Sequence, residues 1–97
     1  MAMYNPPHPG EFISYTYLEP FGISCRSLAE SLDVAASTLN RIIKERSSIS
    51  PEMALRLSIA LGRSPESWLA MQDAYDLWKA KKRGNLKQVK KVKLVSA

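Results

Sequence analysis

What this 97-residue chain has little of narrows the reading first. It has one cysteine, Cys25, so no internal disulfide can form, which fits a reducing compartment. Cys25 falls in the first turn of an expected helix, where it reads as a small packing residue and not as a reactive thiol. Histidine also occurs once, at His8, with no second His or Cys at ligand spacing. It therefore reads as a helix cap or surface residue, and neither a metal nor a cofactor is expected. Paired carboxylates and a glycine-rich phosphate loop are both missing, so no catalytic constellation is present and an enzyme is not expected. No apolar run reaches 18 residues, and the opening MAMYNPPHPGE has no apolar signal core. The expectation is a soluble cytoplasmic protein with no membrane partner.

Acids are absent from the last part of the chain. Up to Trp78 there are six bases and nine acids, a net −3; from Lys79 onward there are eight bases and no acid, a net +8. The net charge of +5 is thus a slightly acidic body followed by a basic tail. Within the body, Arg41, Lys44 and Arg46 gather along one short stretch.

That stretch lies in LAESLDVAASTLNRIIKER, residues 28 to 46, around which the rest is organised. Leu28, Ala29 and Leu32 share one face of a short helix from Cys25 to Leu32, which Asp33 ends. Leu39, Ile42 and Ile43 then recur at helical spacing. At about 100° per residue, Ser37, Asn40, Arg41 and Lys44 form a stripe nearly opposite them, holding hydroxyl, amide and cationic groups but no acid. Such a surface suits a major groove, where amides and hydroxyls reach base edges and cations meet phosphates. Any amphipathic surface helix has a polar stripe, however. What distinguishes this one is its partner: two short helices, a tight turn and a small Ala29 where they approach, which together predict a helix-turn-helix with Ser37 to Lys44 on the recognition helix. A residue near such a turn takes positive φ, for which Asp33 is acceptable but poorer than glycine.

The remaining elements follow from start and stop signals. Pro9 opens a first helix with Glu11 in its first turn, and the helix is expected to end at Glu19 because Pro20 disfavours helix in the residue before it. Ser24 is an N-cap, and the helix N-terminus with Ser24, Arg26 and Ser27 suits a DNA phosphate as this helix crosses the backbone. Lys44, Arg46 and Ser48 are further candidates for phosphate contact. Ser50-Pro51-Glu52 and Ser64-Pro65-Glu66 open two more helices; Met53, Ala54, Leu57, Ile59, Ala60 and Leu61 fill the first until Gly62, and the second runs to about Lys82, before Gly84. The last helix carries more apolar surface than a small bundle uses on one side. Trp68, Met71, Tyr75 and Trp78 are therefore candidates for a two-fold dimer interface, which would set two recognition helices roughly 34 Å apart on a pseudo-palindromic site. The expected organisation is all-α: a flexible arm at 1–8, a compact five-helix lambda-repressor-like helix-turn-helix domain at 9–83, and a basic tail at 84–97. In the tail, lysines alternate with Leu86, Val89, Val92, Leu94 and Val95. It reads equally as a phosphate-gripping arm or as a strand for a partner's sheet edge.

With NPPHPGEFI (5–13), YLEPFGIS (17–24), SLAESLDVAASTLNRIIKER (27–46) and ISPEMALRLSIALGRSPESWLAMQDAYDLWKA (49–80) in hand, the chain resembles the HigA or VapI-type antitoxins of the wider XRE (Cro/C1) helix-turn-helix class. HPGE, ISPEMALRL and the S-x-W-L…Q-x-x-Y-D-L run are the specific parts. The resemblance implies an antitoxin that neutralises a HigB-type toxin, a RelE-like ribosome-dependent mRNA interferase, and represses its own operon as a dimer on double-stranded operator DNA. It maps base contact onto Ala36, Ser37, Thr38, Asn40 and Arg41. Many such proteins have Arg and Gln where Ala36 and Ser37 stand, and Asn-Gly where Lys44 and Glu45 stand, so their operators do not transfer to this chain. A stand-alone phage-type repressor, or a module binding RNA or only protein, is the alternative.

Overall fold

The computed structural model describes residues 5–95. Five helical rods form the body, and among the described residues there is no strand. The first rod, α1, is α-helical over Pro9–Ile13, π-helical over Ser14–Leu18 and α-helical again over Glu19–Phe21. It is followed by α2 (Cys25–Leu32), α3 (Ala36–Ile43), α4 (Pro51–Leu61) and α5 (Pro65–Arg83).

α1 does not end at Glu19 as the Pro20 signal predicts. Proline has no N–H, and its ring crowds the carbonyl four residues back. The π turn accommodates this by widening the preceding coil: the Glu19 N–H donates to Ser14, five residues earlier, and the helix runs through Pro20. It closes at Gly22, in the left-handed region at φ 63°, with the Ile23 N–H donating to the Leu18 carbonyl at 2.9 Å.

The beginning of α1 also corrects a reading. Residues 1–4 of the expected flexible arm lie outside the described residues, but its inner end is docked: Pro6 and Pro7 are half-buried and His8 is only 2% exposed. His8 is the N-cap of α1, its Nδ1 accepting the Gly10 N–H at 2.9 Å, and its ring meets Tyr75 edge-on at 4.9 Å.

The core is one cluster drawn from all five rods and the loop between α3 and α4: Ile13, Leu28, Ala29, Leu32, Leu39, Ile42, Ile49, Met53, Ala54, Leu57 and Trp68. Trp68, assigned above to a dimer interface, belongs here instead. Its side chain is fully buried, meets Phe12 edge-on at 5.8 Å, and its indole N–H donates to the Gly62 carbonyl at 3.1 Å. A residue enclosed by its own chain has no surface to offer a partner. Ile59, expected to fill its helix, is 86% exposed, because α4 turns only Met53, Ala54 and Leu57 fully inward.

Beyond Gly84, which leaves the helix at φ 42°, residues 84–95 are exposed and carry one turn, where the Val89 N–H donates to Leu86. None of the described residues forms a helix long and apolar enough to cross a membrane.

Candidate nucleic-acid interface

α2 and α3 are held in place by their ends. Ser24 caps α2, its Oγ accepting the Ser27 N–H at 3.0 Å. At the other end, Asp33 takes φ 59°; its N–H donates to Glu30, and the Val34 N–H reaches back to Ala29. This pair of bonds is a Schellman closure made without glycine. The same closure recurs after α3, where Glu45 at φ 63° donates to Ile42 and Arg46 donates to Arg41 at 2.8 Å. A side chain in the left-handed region costs roughly 1–2 kcal/mol. The chain therefore carries strain on both sides of α3 that glycine would remove.

Three contacts from other elements hold α3 in position. Gly10 of α1 lies directly on its C-terminal end: a Cβ added there would stand 1.9 Å from the Ile42 carbonyl oxygen. Arg56 of α4 donates from Nη1 to the Leu32 carbonyl at 2.8 Å and the Asp33 carbonyl at 3.1 Å, gripping the turn that feeds α3. Glu52, at 2.8 Å from Nη2, holds the guanidinium in place. Gln72 of α5 is buried; its Oε1 accepts the Ile49 N–H at 3.0 Å and its amide donates to Asp76, tying down the loop that leaves α3. All three lie in the motifs HPGE, ISPEMALRL and Q-x-x-Y-D-L that carry the family resemblance, but none has a positioning role that the sequence alone reveals. The Glu52–Arg56 and Gln72–Asp76 pairs at i,i+4 are the local traces of two of them; the contacts of Gly10 with Ile42 and of Gln72 with Ile49 span more than 20 residues, and nothing local signals those.

So held, α3 buries Leu39 and Ile42 and turns Ser37, Asn40, Arg41 and Lys44 outward as an exposed stripe. Ala36 is also exposed and Thr38 half-buried. Ser24, Arg26 and Ser27 are exposed at the start of α2, although the Ser24 oxygen and the Ser27 amide are committed to each other. Lys44, Arg46 and Ser48 are exposed in and after the last turn of α3. Among the described residues the one side-chain ion pair is Arg56–Glu52, so Arg41, Lys44 and Arg46 keep their charge for a ligand. A polar cleft of about 240 Å³ adjoins this end, with Arg46, Ser47 and Ser48 on one wall and Tyr75, Lys79 and Arg83 of α5 on another. Of the proposed dimer residues, Met71, Tyr75 and Trp78 are half-buried, and Tyr75 and Trp78 carry the Lys79 and Lys82 ammonium groups over their rings at 5.6 and 4.6 Å.

Two groups near the site have shifted pKa values. Burial lowers that of His8 below its ordinary 6.5, offset in part by the Glu45 and Asp76 carboxylates and the Ser47 backbone. Burial pushes the Cys25 thiol up, which keeps it protonated and unreactive. Among the described residues no group of His, Cys, Asp and Glu is placed to hold a metal ion.

Two short helices crossing at a tight turn, the second with its polar side outward, define a helix-turn-helix protein. The chain belongs to the helix-turn-helix family, whose model matches residues 15–68, and it is closely related to antitoxins of the HigA, VapI and GraA kind. It is similar to antitoxin HigA-1 of Vibrio cholerae, at 38% identity over 81% of this chain and 74% of that protein. Among solved structures it is similar to the antitoxin GraA, at 39% identity and TM-score 0.84 over 96% of this chain and all of that one; GraA is also known in complex with its operator. Antitoxin HigA of Pseudomonas aeruginosa, solved with the higBA promoter, is 40% identical with TM-score 0.78 over 86% of this chain and 89% of that one.

Proposed function

We propose that this chain is a cytoplasmic antitoxin that binds double-stranded operator DNA as a homodimer, represses its own operon, and neutralises a HigB-type toxin. One observation carries the DNA reading: the exposed, acid-free stripe Ser37, Asn40, Arg41 and Lys44 on a helix whose opposite side is the hydrophobic core. The similarity to antitoxins seen with operator or promoter DNA supports the same assignment.

The roles follow from side-chain chemistry. Arg41 has the fork for guanine or a phosphate, Asn40 suits adenine, Ser37 and Thr38 make short-range bonds, and Ala36 meets a thymine methyl. Lys44, Arg46 and Ser48, with Ser24, Arg26 and Ser27 across the turn, serve the backbone. Because Ala36 and Ser37 are short, more of the discrimination falls on Asn40 and Arg41.

The test is co-purification with the product of the neighbouring gene, followed by titration of the upstream promoter in a shift assay. Arg41→Ala is expected to cost about 1–3 kcal/mol on the operator while leaving random DNA nearly unaffected. Lys44→Ala should weaken both alike and flatten the salt slope by about one. Equal loss on both sequences for Arg41→Ala would take Arg41 off the base-reading list, and a gene with no small toxin beside it would favour a stand-alone repressor.

A further inference from the structure

The tail raised two readings, and its position in the fold separates them. All eight bases after Trp78 are exposed, and the last acid of the chain, Asp76, lies before them. α5 brings the first of these bases to the reading end of the molecule: Lys79 and Arg83 line the same cleft as Arg46, Ser47 and Ser48, the loop that leaves α3. From there Gly84 turns the chain out of the helix, and residues 84–95 run exposed, with Lys87, Lys90, Lys91 and Lys93 along them. Twelve residues in extended form reach up to about 40 Å, slightly more than a helical turn of B-DNA.

We propose that Lys79 to Lys93 form a second DNA contact, an arm that grips phosphates irrespective of sequence beside the site read by α3. This rests on the DNA-binding reading above. The body of the chain is net negative, so without the arm the few bases around α3 would act against a repulsive background. The arm reverses the net charge of the chain, from −3 over the body to +5 over the whole. It supplies general affinity and speeds encounter, while α3 supplies discrimination. A strand offered to a partner's sheet edge would depend on Val89, Val92 and Leu94 and would be indifferent to the lysines.

The experiment is a salt titration of full-length protein on operator and on random duplex DNA of the same length, comparing wild type with a variant carrying Lys87→Gln, Lys90→Gln, Lys91→Gln and Lys93→Gln. At roughly 0.9 per phosphate neutralised, the variant is expected to lose up to about 3.6 from the slope of log K against log salt per chain. The loss should be equal on both DNAs, leaving their affinity ratio unchanged. An unchanged slope with operator binding intact would overturn the arm and leave the DNA reading standing; failure of the wild type to prefer its operator would sink that reading instead. A second variant, Val89→Ser with Val92→Ser and Leu94→Ser, should keep the wild-type slope. If it loses as much as the lysine variant, the tail works through its apolar face and the proposal fails.

Discussion

Gly10 and His8, two residues apart at the start of α1, show what single residues contribute: one fixes the approach of α1 to α3, the other caps α1. The clash that a Cβ at Gly10 would make is with the backbone of Ile42, which cannot rotate away. α1 or α3 must shift instead. Gly10→Ala is expected to cost about 1–3 kcal/mol of stability, as overpacking does, and to weaken operator binding although Gly10 is buried beneath α3; urea denaturation and a shift assay on one preparation check both. His8 makes stability depend on pH. Its Nδ1 must be unprotonated to accept the Gly10 N–H, and burial holds its pKa below 6.5, so the unfolded chain takes up a proton before the folded one does. The contribution is complete above about 6.5 and is lost as pH falls through that value toward the lower folded one. Wild type should therefore lose stability between pH 7.5 and 5.5 relative to His8→Asn, which keeps a capping acceptor without the titration. Denaturation midpoints that run parallel over this range would show that His8 contributes nothing to the dependence.

At the scale of elements, starts were more legible than ends and partners. Ser24, Ser50 and Ser64 each cap where the sequence placed a cap, accepting an N–H three residues on at 3.0 to 3.1 Å. That signal is local and chemical. The end of α1 is not legible in the sequence, because a proline rule that holds for α-helix does not cover a π turn, and nothing in SYTYL announces one. Arg56 reads as an ordinary surface base until the fold brings Leu32 and Asp33 beneath it. Its removal leaves two carbonyls without their charged donor, so Arg56→Ala is expected to cost about 1.5–3 kcal/mol. The loss should reach operator affinity through the turn before α3, and Arg56→Lys, with one nitrogen in place of the two that serve the carbonyls and Glu52 separately, should recover only part of it. Thermal melts and operator titrations of the two variants check this; a stability loss with unchanged affinity at saturating folded protein would confine Arg56 to a structural role.

At the scale of the whole molecule, the charge division could be counted directly, and so could the alternation of core and stripe on α3. The assignment of Trp68 could not, because apolar residues on one helix do not reveal which of them its own chain will cover. Phe12 and the Gly62 carbonyl, which enclose it, come from other elements. Among the residues α5 leaves half-exposed, Tyr75 and Trp78 are each topped by a lysine. If these are the dimer anchors, Trp78→Ala is expected to raise the dimer dissociation constant by at least tenfold, a cost of 1.4 kcal/mol or more, and to weaken operator binding by lowering the dimer population. Analytical ultracentrifugation reads the first effect directly.

The exposed stretch after Gly84 also governs how such assays must be run. The chain has a radius of gyration of 17.1 Å and extents of 58 × 29 × 25 Å, where a rounded domain of this length would have about 13 Å. A single copy will therefore elute from a gel-filtration column ahead of globular standards of equal mass, mimicking a heavier species. Stoichiometry must come from sedimentation equilibrium or light scattering, which weigh the particle and are insensitive to its outline.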